Sequence, residues 1–147
     1  MTQENEGTVV VSGSAAGFTQ EVVAGGHRLI ADEPVSTGGT DRGPSPYQFV
    51  LAALGSCTSM TIGMYARRKA WPLEHVSVRL SHQRKYIADC ENCEKGQTLL
   101  TLIEREIVLT GPLSAEQRER LLEIANKCPV HRTLTSKIQI DTRLVEA

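Results

Sequence analysis

Residues 45–69 decide the fold and read SPYQFVLAALGSCTSMTIGMYARRK. Ser45 is a good helix N-cap and Pro46 suits the first helical position, so the stretch predicts one long helix. No charged residue occurs from Gly43 to Ala66, and the apolar side chains do not fall on one narrow stripe. A helix with this pattern is expected to be buried on most of its sides.

The length of this helix raises the question of a membrane span, which needs about 20 predominantly apolar residues. Prolines, Gln48, two helical glycines and several serines and threonines interrupt the apolar run. A helix buried inside a protein explains this composition better than one exposed to lipid. We therefore predict a soluble protein that has no membrane partner.

The chain on either side of the long helix has the pattern of short strands and a second helix. The predicted strands, in chain order, are Val9–Val11, Gln20–Ala24, His27–Ala31, Glu74–Tyr86, Leu99–Thr110 and Lys137–Leu144. The second helix begins at Ser114, which forms a capping box with Gln117, and ends just after Cys128, where Pro129 stops it. This order lacks a regular strand-helix-strand repeat. It predicts an α+β fold, with antiparallel sheets around a long buried helix, in a single domain over residues 1–147.

The composition narrows the class of protein. The chain has 147 residues, 40% of them hydrophobic and 22% charged, with a net charge of -1. These values predict one globular domain and argue against nucleic acid as a partner. The polar, acidic stretch from Met1 to Thr8 does not resemble a secretory signal, which favours a cytoplasmic location. In a reducing compartment, the four cysteines are more often catalytic, metal-binding or buried than cross-linked.

Two cysteines lie in the predicted helices. Cys57 lies in the middle of the long helix, where a free cysteine either packs as a small apolar residue or serves as a reactive thiol. Cys128 is predicted at the C-terminal end of the second helix, where the helix dipole disfavours a thiolate. Cys128 is therefore expected to be a poor primary nucleophile, but it could serve as a second thiol that resolves an intermediate.

Other arrangements of the cysteines stay open at this stage. Cys90-x-x-Cys93 and Cys128-x-x-His131 have the internal spacing of two halves of a tetrahedral zinc site, provided that the halves are neighbours in space. Cys90 and Cys93 could instead form a redox pair on a loop, or be two surface thiols. A dyad of Cys57 with His131, as in cysteine hydrolases, lacks a supporting motif.

Two segments resemble the cysteine motifs of the OsmC/Ohr family. The first is GTDRGPSPY at residues 39–47, continued by LAALGSCT at residues 51–58, and the second is CPVHRTL at residues 128–134. With its elements in the family order, the resemblance covers about Asp32 to Leu144. It implies an intertwined homodimer with the cysteine-bearing helices buried in the middle.

The resemblance also implies an activity. Members of the family reduce organic hydroperoxides as antioxidant enzymes of the oxidative stress response. By resemblance, Cys57 is the peroxidatic thiol and Cys128 the resolving thiol. No cofactor is implied, and a dithiol such as a lipoylated protein regenerates the enzyme.

The sequence differs from the family pattern at the residues that support the thiolate. The family uses an arginine from its N-terminal region, for which Arg28 and Arg42 are candidates, held by a glutamate near the start of the central helix. The glutamate's place falls at Tyr47 or Gln48, and neither is acidic. Gln48 can hydrogen-bond an arginine without neutralising it. The alternative function is a non-enzymatic OsmC-like protein that binds zinc through Cys90, Cys93, Cys128 and His131, binds a small apolar ligand, or senses redox state.

Overall fold

The computed structural model describes residues 7–86 and 99–147. Its helices and strands in chain order are β1 (Val9–Ser12), β2 (Gln20–Ala24), β3 (His27–Ala31), α1 (Pro46–Lys69), β4 (His75–Tyr86), β5 (Leu99–Thr110), α2 (Ala115–Ala125) and α3 (Pro129–Leu134). Antiparallel sheets combined with one long helix confirm the predicted α+β class. The chain divides into two compact units, one up to Ala52 and one from Ala53, and a single domain over residues 1–147 stays a prediction.

The first unit contains a three-stranded antiparallel sheet in the order β1-β2-β3. Val22 of β2 lies opposite Val11 of β1 and Leu29 of β3. Gly25, in the turn between β2 and β3, has a φ of 60°, a conformation that glycine adopts without a steric penalty. The predicted strands Gln20–Ala24 and His27–Ala31 are therefore joined as an antiparallel hairpin.

A buried carboxylate follows β3 and ties down the next loop. Asp32 accepts hydrogen bonds from the hydroxyls of Thr40 at 2.7 Å and Thr19 at 3.0 Å. It also accepts from the backbone N–H groups of Glu33 at 2.8 Å and Arg42 at 3.2 Å. The Thr40 hydrogen bond is the largest influence on the pKa of Asp32. Together the bonds outweigh burial and hold that pKa well below its usual range. Asp32 thus fixes the conformation of the loop around Thr40 and Arg42, which belongs to the first cysteine motif.

The long helix α1 begins as predicted, with a capping box. Ser45 Oγ accepts from the backbone N–H of Gln48 at 3.3 Å, and the Gln48 side-chain oxygen accepts from the Ser45 N–H at 2.9 Å. Reciprocal bonds of this kind satisfy donors that a helix start otherwise leaves free. The Gln48 side chain is therefore part of the start of the helix.

The other end of α1 is a Schellman motif. The Trp71 N–H donates to the Ala66 carbonyl at 2.9 Å, and the Ala70 N–H donates to the Arg67 carbonyl at 3.1 Å. The motif needs a left-handed residue after the helix. Ala70 fills that place with a φ of 55°. The helix thus ends through its own backbone before Pro72 is reached.

Burial along α1 follows one stripe, formed by Leu54, Gly55, Thr58, Ile62 and Ala66. Met60 on another side is 72% exposed. By length and composition α1 could cross a membrane, and 28% of its most apolar window is buried within the chain. The expectation of burial on most sides is wrong for this single chain, because its neighbours cover one face of the helix.

The second unit packs α1 and α2 against the β4-β5 hairpin. The two strands pair along their whole length, from His75 opposite Thr110 to Tyr86 opposite Leu99. The buried core consists of Ile62, Ala66, Leu121 and Ala125, and partly buried side chains of the hairpin lie against it. A Cβ added to Gly55 would lie 2.7 Å from Leu80 Cδ1. The absence of a side chain at Gly55 therefore lets the strand β4 approach the helix closely.

Two predictions about the C-terminal part of the chain are wrong. The helix α2 ends at Ala125, and Cys128 is the N-cap of the short helix α3. Residues 137–147 form no strand. Ile140 is 82% exposed and Leu144 is 101% exposed. An alternating pattern becomes a strand only beside another strand edge, and the segment meets none within the described residues.

Candidate functional site

The fold brings together the two cysteines that the sequence singled out. Cys57 lies on α1 and is half-buried, and Cys128 precedes α3 and is 0% exposed. Both are free thiols. The Cys57 thiol hydrogen-bonds the Cys128 sulfur and so favours negative charge on Cys128. The site is therefore a reduced dithiol with one thiol more accessible than the other.

The surroundings of Cys128 stabilise a thiolate. Its Sγ accepts from the His131 backbone N–H at 3.3 Å and lies 3.9 Å from Thr58 Oγ1. Burial, the largest influence, raises the pKa of Cys128. The hydrogen bonds from His131, Cys57 and Thr58 and the charge of Arg105 outweigh it, so the pKa is lowered. The predicted penalty from a helix C-terminus does not apply, because Cys128 lies where a helix begins.

Arg105 on β5 is a central residue of this site that the sequence interpretation missed. One guanidinium nitrogen donates to Thr58 Oγ1 at 2.9 Å, and the other donates to Asn126 Oδ1 at 2.9 Å and lies 3.2 Å from His131 Nδ1. All three partners can accept as neutral groups. The sequence feature that could have identified Arg105 is its charge on a strand face that also carries Ile103, Ile107 and Leu109.

The contact with Arg105 fixes the tautomer of His131. A guanidinium has donors only, so Nδ1 must be the acceptor and the neutral ring carries its proton on Nε2. Burial first, and then the charge of Arg105, lower the pKa of His131. The ring therefore stays neutral at pH 7. The contact of His131 with Cys128 runs through its backbone N–H, which differs from the dyad of a cysteine hydrolase.

The three predicted supporting residues lie in the first unit. Arg28 pairs with Glu21 at 2.6 Å. The backbone N–H of Arg42 bonds Asp32, and its side chain is exposed. Gln48 closes the capping box with Ser45. Their contribution to the cysteines stays a prediction.

The zinc and redox-pair hypotheses depend on Cys90 and Cys93, which lie outside the described residues. Over residues 7–86 and 99–147, no group of three or more His, Cys, Asp or Glu side chains is arranged to hold a metal ion. Cys128 and His131 are close to each other through a backbone hydrogen bond. Their side chains are engaged with other groups in the reduced site.

An open cavity of about 480 Å³ adjoins the dithiol site. Its polar lining consists of Arg105, Asn126, His131, Thr101 and Thr135. Its apolar lining consists of Leu54, Leu102, Ile103, Ile107, Leu122 and Leu134. A volume in this range suits a small organic molecule. The arrangement joins a pair of free thiols, a cation and an apolar cavity on an α+β scaffold.

Comparison with known proteins identifies the family. The model for OsmC-like proteins matches residues 39–143, and the chain therefore belongs to the OsmC family. A search of curated proteins finds no match.

Solved structures share the fold at low sequence identity. An OsmC-like protein from Mycoplasma pneumoniae has a TM-score of 0.70 and 16% identity, over 95% of this chain and 96% of that chain. An organic hydroperoxide resistance protein OsmC from Legionella pneumophila has a TM-score of 0.63 and 19% identity, over 87% and 88%. An organic hydroperoxide resistance protein from Elizabethkingia anophelis, with thiocyanate bound, has a TM-score of 0.64 and 17% identity, over 89% of each chain.

Proposed function

We propose that the protein is a cysteine-based peroxidase that reduces organic hydroperoxides to alcohols. The observation that carries this proposal is the hydrogen-bonded pair of free thiols, Cys57 and Cys128, in surroundings that lower the pKa of Cys128. Nucleophilic attack on a peroxide requires a thiolate. The second thiol must lie close enough to form a disulfide with the oxidised first thiol.

In the proposed cycle Cys57, the more accessible thiol, attacks the peroxide. Its thiolate forms an S–O bond as the O–O bond breaks, and the leaving alkoxide takes up a proton to give the alcohol. Cys128 then attacks the resulting sulfenic acid. An S–S bond forms, the S–O bond breaks, and the hydroxide leaves as water after taking up a proton. An external dithiol, such as that of a lipoylated protein, reduces the disulfide by thiol exchange.

The cavity beside the site supports a small organic hydroperoxide as the substrate. Its apolar walls match a hydrocarbon group, and Arg105 and His131 provide polar contacts at one end. Burial of a hydrocarbon group contributes about 25 cal/mol per Å² of apolar surface removed from water. The cavity therefore favours an alkyl or aryl hydroperoxide over hydrogen peroxide.

The remaining roles are part of the same proposal. Arg28 or Arg42 supplies a supporting cation, as the family resemblance implies, and Gln48 stands where the family has its glutamate. The enzyme is a cytoplasmic homodimer. Support for a dimer comes from exposed apolar side chains of the second unit, namely Met60, Met64, Ile138, Ile140 and Leu144.

Single-turnover reaction with tert-butyl hydroperoxide tests the proposal. The reduced protein is mixed with the peroxide, and the product is digested and mapped by mass spectrometry. We expect a fast reaction that links Cys57 to Cys128 and disappears in Cys57→Ser. A rate no higher than that of an ordinary exposed thiol would overturn the peroxidase assignment and favour a ligand-binding or redox-sensing protein.

A further inference from the structure

Arg105 lies on one face of β5 beside the dithiol. It stands between Ile103 and Ile107 on that face, and all three line the cavity. None of its hydrogen-bond partners among the described residues, Thr58, Asn126 and His131, carries a negative charge. Partial burial of an uncompensated charge costs free energy. A compensating anion is therefore expected nearby, and the thiolate of Cys128 can be that anion.

Thr58 connects the guanidinium to the sulfur. Its Oγ1 accepts from Arg105 at 2.9 Å and lies 2.6 Å from the Leu54 carbonyl and 3.9 Å from Cys128 Sγ. The single hydroxyl proton thus has two acceptors in reach. Accepting a hydrogen bond from a cation polarises the hydroxyl and makes it a stronger donor. When Cys128 is ionised, the hydroxyl can turn from the carbonyl to the sulfur.

We propose that Arg105 is the cation of the dithiol site, fixed by Asn126 and His131, and that it stabilises negative charge on Cys128 through Thr58. This inference rests on the proposed function, and it makes Arg105 a positioning residue. The charge that bears on Cys128 thus comes from β5, whereas the family resemblance gives Arg28 or Arg42 the support of Cys57. Asn126, the C-cap of α2, takes the place of a carboxylate as the holding group.

A negatively charged Cys128 can accept the proton of Cys57 before it acts as the resolving thiol. In the resting pair the hydrogen bond from the Cys57 thiol lowers the pKa of Cys128 and so favours the thiolate on that sulfur. Transfer of this proton from Cys57 to Cys128 leaves the thiolate on the accessible sulfur, ready for the peroxide. Cys128 then returns the proton to the departing alkoxide and becomes the thiolate that attacks the sulfenic acid. One hydroperoxide thereby becomes one alcohol and one hydroxide, with both electrons supplied by the dithiol.

Three groups that can titrate or carry charge interact with Cys128 or with each other in the site, namely Cys57 from α1, Arg105 from β5 and His131 from α3. Lys127 precedes Cys128 in the chain, and His82 of β4 lies opposite Ile103. His131 is neutral at pH 7, because burial and Arg105 lower its pKa. Arg105 is thus the permanent charge of the three.

Thiolate absorbance near 240 nm, followed against pH, tests the inference without any peroxide. The background is Cys90→Ser with Cys93→Ser, so that the site dithiol alone is observed. Cys128→Ser in this background identifies the sulfur that ionises first. Arg105→Met is compared with Arg105→Lys and with Arg120→Met, a control whose arginine bonds Tyr65 and Glu123.

We expect Arg105→Met to lower the thiolate fraction at pH 7 by on the order of fiftyfold, as for loss of one cation roughly 7 Å away at an effective dielectric constant of about 20. Arg105→Lys should restore part of it, and Arg120→Met should leave it unchanged. If Arg105→Met fails to fold, Asn126→Ala replaces it in the test. This variant keeps the charge of Arg105 but removes one of its hydrogen bonds, so it should lower the thiolate fraction less than the loss of the charge would.

An unchanged titration in Arg105→Met, or a loss of the thiolate only in Arg28→Met or Arg42→Met, would overturn the inference. So would a first ionisation that survives in Cys128→Ser. These outcomes are independent of catalysis. A protein with the expected titration but no reaction with peroxide would keep Arg105 as the site cation and would refute the peroxidase function alone.

Discussion

Arg105 donates a hydrogen bond to Thr58 Oγ1 at 2.9 Å, although 47 residues separate the two along the chain. The contact joins the middle of the long helix to a strand of the hairpin. It places a guanidinium one hydroxyl away from Cys128. The local structure around Thr58 therefore bears directly on the ionisation of the dithiol.

The Thr58 hydroxyl can be removed without changing the shape of its side chain. We expect Thr58→Val to lower the thiolate fraction at pH 7 by about fivefold, the equivalent of one hydrogen bond of about 1 kcal/mol. Thr58→Ser keeps the hydroxyl and should stay close to the unmodified protein. Absorbance near 240 nm measures both. Equal titrations for the valine and serine variants would show that the hydroxyl carries no charge interaction to the sulfur.

The size of the cavity can be reduced at Leu122, which lines it and is 57% exposed. We expect Leu122→Trp to lower kcat/KM for cumene hydroperoxide by about tenfold, and to change kcat/KM for tert-butyl hydroperoxide much less. Leu122→Ala serves as the matched control that enlarges the cavity. Equal losses for both substrates in Leu122→Trp would place the substrate elsewhere.

Gln48 contributes to stability through the capping box with Ser45. We expect Gln48→Ala to lower the free energy of unfolding by about 0.5 kcal/mol, because one N-terminal donor loses its partner. Gln48→Glu keeps an acceptor and adds a negative charge at the positive end of α1, so it should raise stability by about 0.5 kcal/mol. Urea denaturation at pH 7 measures both. Unchanged stability with altered peroxide reactivity would instead place Gln48 in the site.

Asp32 makes stability depend on pH at the acidic end. The Thr40 hydroxyl and further donors lower its folded pKa below the unfolded value of about 3.9. Its contribution is therefore fully present above about pH 4 and is lost as the pH falls further. We expect Asp32→Asn to have a lower Tm at pH 7 and a smaller fall in Tm below pH 4. The exposed Asp41→Asn is the control, and equal pH profiles for Asp32→Asn and the unmodified protein would contradict this assignment.

Ala70 is strained at the end of α1, since a residue with a Cβ at a φ of 55° costs about 1 kcal/mol. Ala70→Gly should therefore raise the free energy of unfolding by about 0.5 to 1 kcal/mol. Ala70→Val should lower it, because a branched Cβ fits the left-handed conformation less well. Thermal unfolding of the three proteins gives the order, and a glycine variant less stable than alanine would refute the strain.

Much of the local structure could be predicted from the sequence. The strands Gln20–Ala24, His27–Ala31 and Leu99–Thr110 and the helix Pro46–Lys69 have their predicted bounds. The Ser114 capping box is also present. These features depend on caps, turns and side-chain periodicity, whose partners lie within a few residues of one another. The pairing of Cys57 with Cys128 agrees with the family resemblance.

The sequence by itself determined the fold class and the family, because these depend on local patterns and on two recognisable motifs. Tertiary structure alone decided that Arg105 lies beside the dithiol and that residues 137–147 are without a strand. Each of these depends on a group far away in the chain. The charges around a thiol are set only when distant segments of the chain pack together. The same holds for the strand that pairs with a sheet edge.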